Sequence, residues 1–167
     1  MTAPSVVAQS TPRGTQNFVS SLVYEGYLAT RYEVALDRSR AIARIGRRCP
    51  SIESFLMENK CAAGHIITAY NPYNCRSSDT DNLKQNYALI DWADRQNILW
   101  RPSRNSSLSR GNEGTPGYEG TGGWPDEPGC FLVGLTLQDA TEIARTFQQA
   151  AVVSVAVGHA AALVMAI

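Results

Sequence analysis

The stretch HIITAYNPYNCRSSDTDNLKQNYALIDWADRQ, His65 to Gln96, decides the fold. His65 to Tyr70 is a continuous apolar run with β-branched Ile66, Ile67 and Thr68, which predicts a central strand covered on both faces. A polar loop, Asn71 to Ser77, follows it. Ser78 then stands as an N-cap with Asp81 three residues on, and a helix is expected to about Gln96. Along that helix Leu83, Tyr87, Ile90 and Asp94 form one line, and Asn82, Asn86 and Leu89 its neighbour. Strand, loop and helix in this order define an α/β unit.

Toward the N-terminus, Tyr27 to Leu36 places Tyr32, Val34 and Leu36 at period two, a half-buried strand. Asp37 to Ser39 supplies a turn, and Arg40 to Gly46 alternates again at Ile42 and Ile45, so the pair reads as a hairpin. Its arginines, Arg31, Arg38, Arg40, Arg44, Arg47 and Arg48, outnumber Glu33 and Asp37 and make the hairpin locally basic; the simplest account is a solvated strand face. Pro50 and Ser51 open a short helix to Lys60, with Ile52, Phe55 and Leu56 on one stripe. Met1 to Ser21 is polar and reads as a flexible arm outside the fold, which leaves 22–167 as one domain.

Toward the C-terminus, Ile98 to Arg101 is a short strand ended by Pro102. Residues 102–123 are rich in Ser, Gly, Asn and Arg and read as one long polar loop, of the kind that serves as a lid or an insertion. Phe131 to Leu135 restarts the sheet, and Thr136 with Asp139 caps a helix whose inner stripe is Ala140, Ile143, Ala144 and Phe147. Ala150 to Ile167 carries no Asp, Glu, Lys or Arg, but Gly158-His159 at its centre and four valines before it make it a closing hairpin rather than a membrane anchor. The order is β-β-α-β-α-β-loop-β-α-β-β. It predicts an α/β domain of α+β type: a mixed sheet of six or seven strands with three helices packed on it.

The chain has 167 residues, 44% of them apolar, enough for one domain with a real core. Fifteen basic side chains balance fifteen acidic ones, so no nucleic-acid signature appears in the overall charge. The N-terminus lacks the apolar run of a secretory signal, which makes the cytoplasm the default compartment. Four cysteines without CxxC spacing give no expectation of a metal, and the common phosphate-loop, dinucleotide and nucleophile motifs are missing, so no cofactor is implied.

Chemistry concentrates in two segments. The first is the TAYNP corner, Thr68 to Pro72. There a polar loop leaves the carboxyl end of a buried strand and enters a helix N-terminus, where free N–H groups and the helix dipole favour ligands. Asn71, extended because it precedes proline, together with Arg76, Ser78, Asn82 and Asn86, is the candidate binding set. The same asparagines are equally suited to satisfying loop backbone. The second segment is Trp124-Pro125-Asp126-Glu127-Pro128, in which prolines frame an indole and two carboxylates. Glu127 has the chemistry of a general acid–base and Trp124 that of a stacking platform; packing and backbone hydrogen bonds are the bland alternative.

Taken together, several elements in order resemble the bacterial family catalogued as domain of unknown function 3293. They are Tyr27-x-x-Thr30-x-Tyr32, Ile45-Gly46, Thr68 to Pro72, Ser78 with Asn82, Trp124 to Pro128, and Phe147 to Val153. The resemblance spans about Tyr24 to Val164. It implies a small bacterial cytoplasmic domain and no established reaction. The positions it carries over are Thr30, Tyr32, Asn71, Pro72, Ser78, Asn82, Trp124, Glu127 and Gln149. Gln148 stands where the family pattern usually has glycine, and the 102–123 loop is longer and more polar than usual.

Three functions fit these residues. A binding module would hold a small polar ligand, such as a nucleotide, at the TAYNP loop. A hydrolase or transferase would use Glu127 as acid–base. A protein-interaction domain would inhibit or protect a partner, and a homodimer fits the same surface. The first is the main expectation.

Overall fold

The computed structural model describes residues 21–107 and 126–166. Trp124, the arm up to residue 20 and loop residues 108–123 lie outside the described residues. The elements run α1 (Ser21–Leu28), β1 (Thr30–Ala35), β2 (Arg40–Ala43), α2 (Pro50–Glu58), β3 (Ala63–Thr68), α3 (Asp79–Arg95), β4 (Trp100–Ser107), β5 (Glu127–Val133), α4 (Leu137–Thr146), β6 (Ala151–Ala156) and β7 (Ala162–Met165). The strands form one sheet in the order β2-β1-β4-β5-β3-β6-β7.

The α+β class, the seven strands and the helices α2, α3 and α4 are as the sequence predicts. Several details differ: β3 is Ala63–Thr68, two residues earlier than read, and β5 starts at Glu127, so the end of the Trp124–Pro128 segment is strand. Every strand pairing is antiparallel, so the sheet is not mixed. α1 precedes the first strand and takes Tyr27, which the period-two reading had placed in β1. β4 continues through Pro102 to Ser107, so residues 102–107 of the expected loop are strand. The proline is tolerated because β1 pairs with β4 only as far as Ser103; Pro102 is paired on one side, with Cys130.

Alternation along the strands builds two cores. On one face Tyr32, Val34, Ile66, Phe131, Val153 and Val155 pack against Ile52, Phe55 and Leu56 of α2. On the other, Ile67, Cys130, Leu132 and Val152 pack against Leu89 and Ala93 of α3 and Ala140 and Ala144 of α4. In β2 the inward residues are Ala41 and Ala43, whereas Ile42 is 40% exposed. The register explains it: Ala41 and Ala43 sit opposite the buried Val34 and Tyr32. α3 likewise turns the Asn82–Leu89 line inward and leaves Leu83 and Tyr87 exposed. No helix among the described residues is long and apolar enough to cross a membrane.

The caps hold as read. Ser78 Oγ accepts from Asp81 N and Thr136 Oγ1 from Asp139 N, both at 3.1 Å. At their other ends α2, α3 and α4 share a device the sequence hides: Lys60, Asn97 and Gln148 adopt φ of 56°, 53° and 56°. The following N–H groups of Cys61, Ile98 and Gln149 then reach back to Leu56 O, Ala93 O and Ala144 O. This is the Schellman closure, usually made by glycine.

Candidate functional site

Three neighbouring strands bring a set of polar groups to one row of the α2 face. Tyr32 of β1 lies opposite Asn105 of β4, and Asn105 lies opposite Glu127, the first residue of β5. Directly opposed residues share a face with Cβ atoms about 4.5–5.5 Å apart. The adjoining row runs Val34, Ser103, Gly129, Thr68. Glu127 and Ser103 are buried, as is Tyr32.

The TAYNP corner closes over this row. Asn71 is not extended, as its position before proline suggested; it takes the left-handed conformation, φ 48° and ψ 64°. What overrides the proline is a buried set of hydrogen bonds. Asn71 N donates to Asn82 Oδ1 at 2.8 Å, and Asn82 Nδ2 donates to Asn71 Oδ1 at 3.0 Å. Ser77 N donates to the same Asn71 Oδ1 at 3.0 Å. Asn71 Nδ2 is thereby turned toward β5, where it donates to Glu127 Oε1 at 2.6 Å. A short bond to an ionised acceptor is of the stronger class.

Three tyrosines feel the Glu127 carboxylate. Burial pushes the Tyr27 hydroxyl up to about 12, with the Glu127 charge adding to the rise. Tyr32 is raised further, again mainly by burial and in part by Tyr27 and Glu127. Tyr70 is raised by desolvation, then by Asp79, Tyr87 and Glu127. The phenols therefore stay neutral. Tyr27 Oη donates to Asn74 Oδ1 and Tyr32 Oη to Tyr27 O, each at 3.0 Å, which ties α1 and the 71–77 loop to the sheet.

Of the residues the sequence singles out, Asn71, Asn82 and Glu127 are thus brought together. Gln149 is buried nearby, donating to Tyr70 O at 3.0 Å and Phe147 O at 3.1 Å, so it joins the ends of β3 and α4. Ser78 is exposed and engaged with Asp81. Arg76 is exposed in the loop. Asn86 lies one turn past Asn82, and its Oδ1 has no hydrogen-bond partner among the described residues. Cys75 is exposed, while His65 is buried in the sheet with Nε2 2.9 Å from Leu135 O. No cluster of metal-ligating side chains exists among the described residues.

Two contributors escaped the sequence reading altogether, Ser103 and Asn105, whereas Tyr27 and Tyr70 lie inside quoted motifs without a role assigned to them. A polar period-two row in β4 was the available signal, masked by Pro102. A model of the family described as Protein of unknown function (DUF3293) matches residues 67–152. The chain belongs to the DUF3293 family. The match takes in Asn71, Asn82, Ser103, Asn105, Glu127 and Gln149, whereas the Tyr27–Tyr32 and Ile45-Gly46 elements fall outside it. No curated protein and no solved structure matches the chain of this DUF3293 member.

Proposed function

We propose that this DUF3293 protein binds a small polar ligand at the Glu127 corner, with the carboxylate as the principal contact and Asn71 as its positioning residue. One observation carries the reading: a carboxylate 9% exposed is held at 2.6 Å by a buried amide. Burying a carboxylate is costly, and a structural role would be met more simply by an apolar side chain. Asn71 and Asn82 serve as scaffold in this reading, since their amides are engaged with each other, with Ser77 and with Glu127.

Acid–base catalysis by Glu127 is the second reading. What favours it is the placement of the carboxylate among neutral phenols, an environment of the kind that tunes catalytic carboxyl groups.

Thermal unfolding against nucleotides, sugars, amino acids, amines and organic acids tests the binding reading. A ligand at 100 times its dissociation constant adds about 2.7 kcal/mol, which is visible as a rise in Tm. The rise should disappear in Glu127→Gln. A well-folded protein that no compound shifts would sink the proposal.

A further inference from the structure

The two edges of the sheet differ in chemistry. β2 closes one side, and Arg38, Arg40 and Arg44 stand on or beside it. Charge of this kind keeps an edge strand from pairing with a foreign one. β7 closes the other side without any such guard: Ala150 to Ile167 holds no Asp, Glu, Lys or Arg, and no proline. Its Leu163, Val164 and Met165 are only partly buried.

The hydrogen bonds show which backbone groups that edge presents. Ala166 N donates to Ala150 O at 2.8 Å, and these two residues continue the β6–β7 register in which Val164 lies opposite Val152. Bonded pairs alternate with non-bonded ones in an antiparallel ladder, so Ala162, Val164 and Ala166 turn their N–H and C=O groups to β6. Leu163 and Met165 turn theirs away from it. Ala161 fixes the same phase independently. Its backbone also faces outward, where Gly46 N donates to Ala161 O at 2.7 Å and Ala161 N donates to Arg47 O at 2.9 Å. The loop after β2 thus covers the edge at Ala161. The outward groups of Leu163 and Met165 have no such cover among the described residues.

A row of alternating backbone donors and acceptors is complemented by another extended strand. A second copy of β7 fits it. A two-fold axis beside Val164 sets Leu163 opposite the partner's Met165 and Met165 opposite the partner's Leu163, so every outward group of both residues gains a mate. Uncharged strands meet this way without repulsion. β2 of another copy is the poorer mate, since its arginines would come with it and a head-to-tail contact builds an open chain of subunits.

We propose that the β7 edge is an interface between two copies of this chain, joined antiparallel about Val164 into one continuous sheet. Gly46 and Arg47 bound the pairing at Ala161, which leaves Leu163 to Met165 as its centre.

Sedimentation equilibrium of the full chain over a wide concentration range should show monomer and dimer and nothing larger. Leu163→Pro deletes an outward N–H and no bond to β6, a change that an edge strand tolerates. It should keep the fold by circular dichroism and weaken association about tenfold or more, since each copy loses one hydrogen bond. Cross-linking in a Cys75→Ser background, chosen because Cys75 is exposed, reads the register. Val164 would face its own copy across a non-bonded pair, with Cα atoms about 4.5 Å apart and within reach of a disulfide. Val164→Cys should therefore oxidise to a covalent dimer, whereas Met165→Cys sets its thiols on either side of the axis and should not. If Leu163→Pro fails to fold, the two cysteine variants still decide. A chain that stays monomeric, one that forms larger assemblies, or a dimer that folded Leu163→Pro leaves equally tight would overturn the proposal. Cross-linking through Met165→Cys and not Val164→Cys would overturn the pairing about Val164.

Discussion

Asn71 Nδ2 donates to Glu127 Oε1 at 2.6 Å across 56 residues of chain, so the loop after β3 and the first residue of β5 are joined through one amide. The amide is oriented by Asn82 and Ser77, which occupy Asn71 Oδ1. A carboxylate in place of that amide would keep the Oδ1 bonds and set two like charges face to face. Asn71→Asp is therefore expected to lose about 2–4 kcal/mol at neutral pH. At an acidic pH part of the loss should return, because the two carboxyl groups can then share a proton. Urea unfolding of both proteins at the two pH values checks this; equal stability at neutral pH would mean that the Asn71–Glu127 bond is not formed in solution.

Gln148 closes α4 with φ 56°, a conformation that disfavours any side chain with a Cβ. Gln148→Gly removes that strain while adding some freedom to the unfolded chain, about 0.4–1 kcal/mol in the opposite sense. The net expectation is a gain of about 0.5–1 kcal/mol and a Tm higher by a few degrees. Lys60→Gly, at the corresponding end of α2, should behave alike. Asn97→Gly should gain less, since asparagine tolerates the left-handed region. An unchanged or lower Tm for Gln148→Gly would count against the Schellman closure.

The parts of this fold that local chemistry dictates were legible. Ser78 and Thr136 announce their helices because a cap needs only a hydroxyl and an N–H three residues on. Gly158, at φ 81°, marks the β6–β7 turn because that conformation favours glycine. What was not legible depended on partners distant in sequence. The continuation of β4 from Pro102 to Ser107 hides because its residues Ser103 and Asn105 are polar, and alternation is recognised by apolar residues. Ile42 turns outward because β1 fixes the register of β2, which no reading of RAIA alone contains. Asn71 defies its proline through Asn82, eleven residues away. The site was therefore half visible: Asn71, Asn82 and Glu127 from motifs, and Ser103 and Asn105 only once the strands were paired.

Glu53 is buried at the turn between β6 and β7. It accepts from Arg48 through both oxygens, and Gly158 N donates to its Oε2 at 3.0 Å. The Arg48 guanidinium and the Gly158 N–H hold its carboxyl at about 2, against an ordinary 4.5. The unfolded chain thus takes the proton first on acidification. Stability from this group is whole above about pH 4.5 and is lost as the pH falls toward 2. Glu53→Gln should be less stable at neutral pH and should show a flatter loss of stability between those pH values. Denaturant midpoints of both proteins across the range provide the comparison; parallel curves would contradict it.

His65 behaves as a base kept from its proton. Desolvation lowers its affinity below the ordinary 6.5, and the bond to Leu135 O offsets this only in part. Nδ1 is buried without a hydrogen-bond partner among the described residues. Above about pH 6.5 the ring is neutral in both states and stability is unaffected; as the pH falls below it, the unfolded chain gains the proton more readily and stability declines. The chain has two histidines, so His159→Gln leaves one ring signal to follow by NMR. His65 should titrate below 6.5, and a midpoint at or above that value would disprove the buried placement.

Gly64 and Phe131 show how little room the sheet leaves. Phe131 is fully buried, 6.4 Å from the Phe55 ring centre, and its ring edge rests on Gly64 across the β3–β5 pair. A Cβ at Gly64 would overlap ring atoms of Phe131 and approach Leu132 O to 3.2 Å. Phe55 of α2 belongs to the same core cluster and limits the ring's retreat. Gly64→Ala is thus expected to lose about 1–3 kcal/mol by overpacking. Phe131→Leu alone should lose about as much through the missing ring volume. In the double variant the smaller leucine vacates the space the new methyl needs, so the combined loss should fall short of the sum by about 1 kcal/mol or more. A strictly additive double-mutant cycle would place the Gly64→Ala penalty in the backbone and not in the aromatic contact.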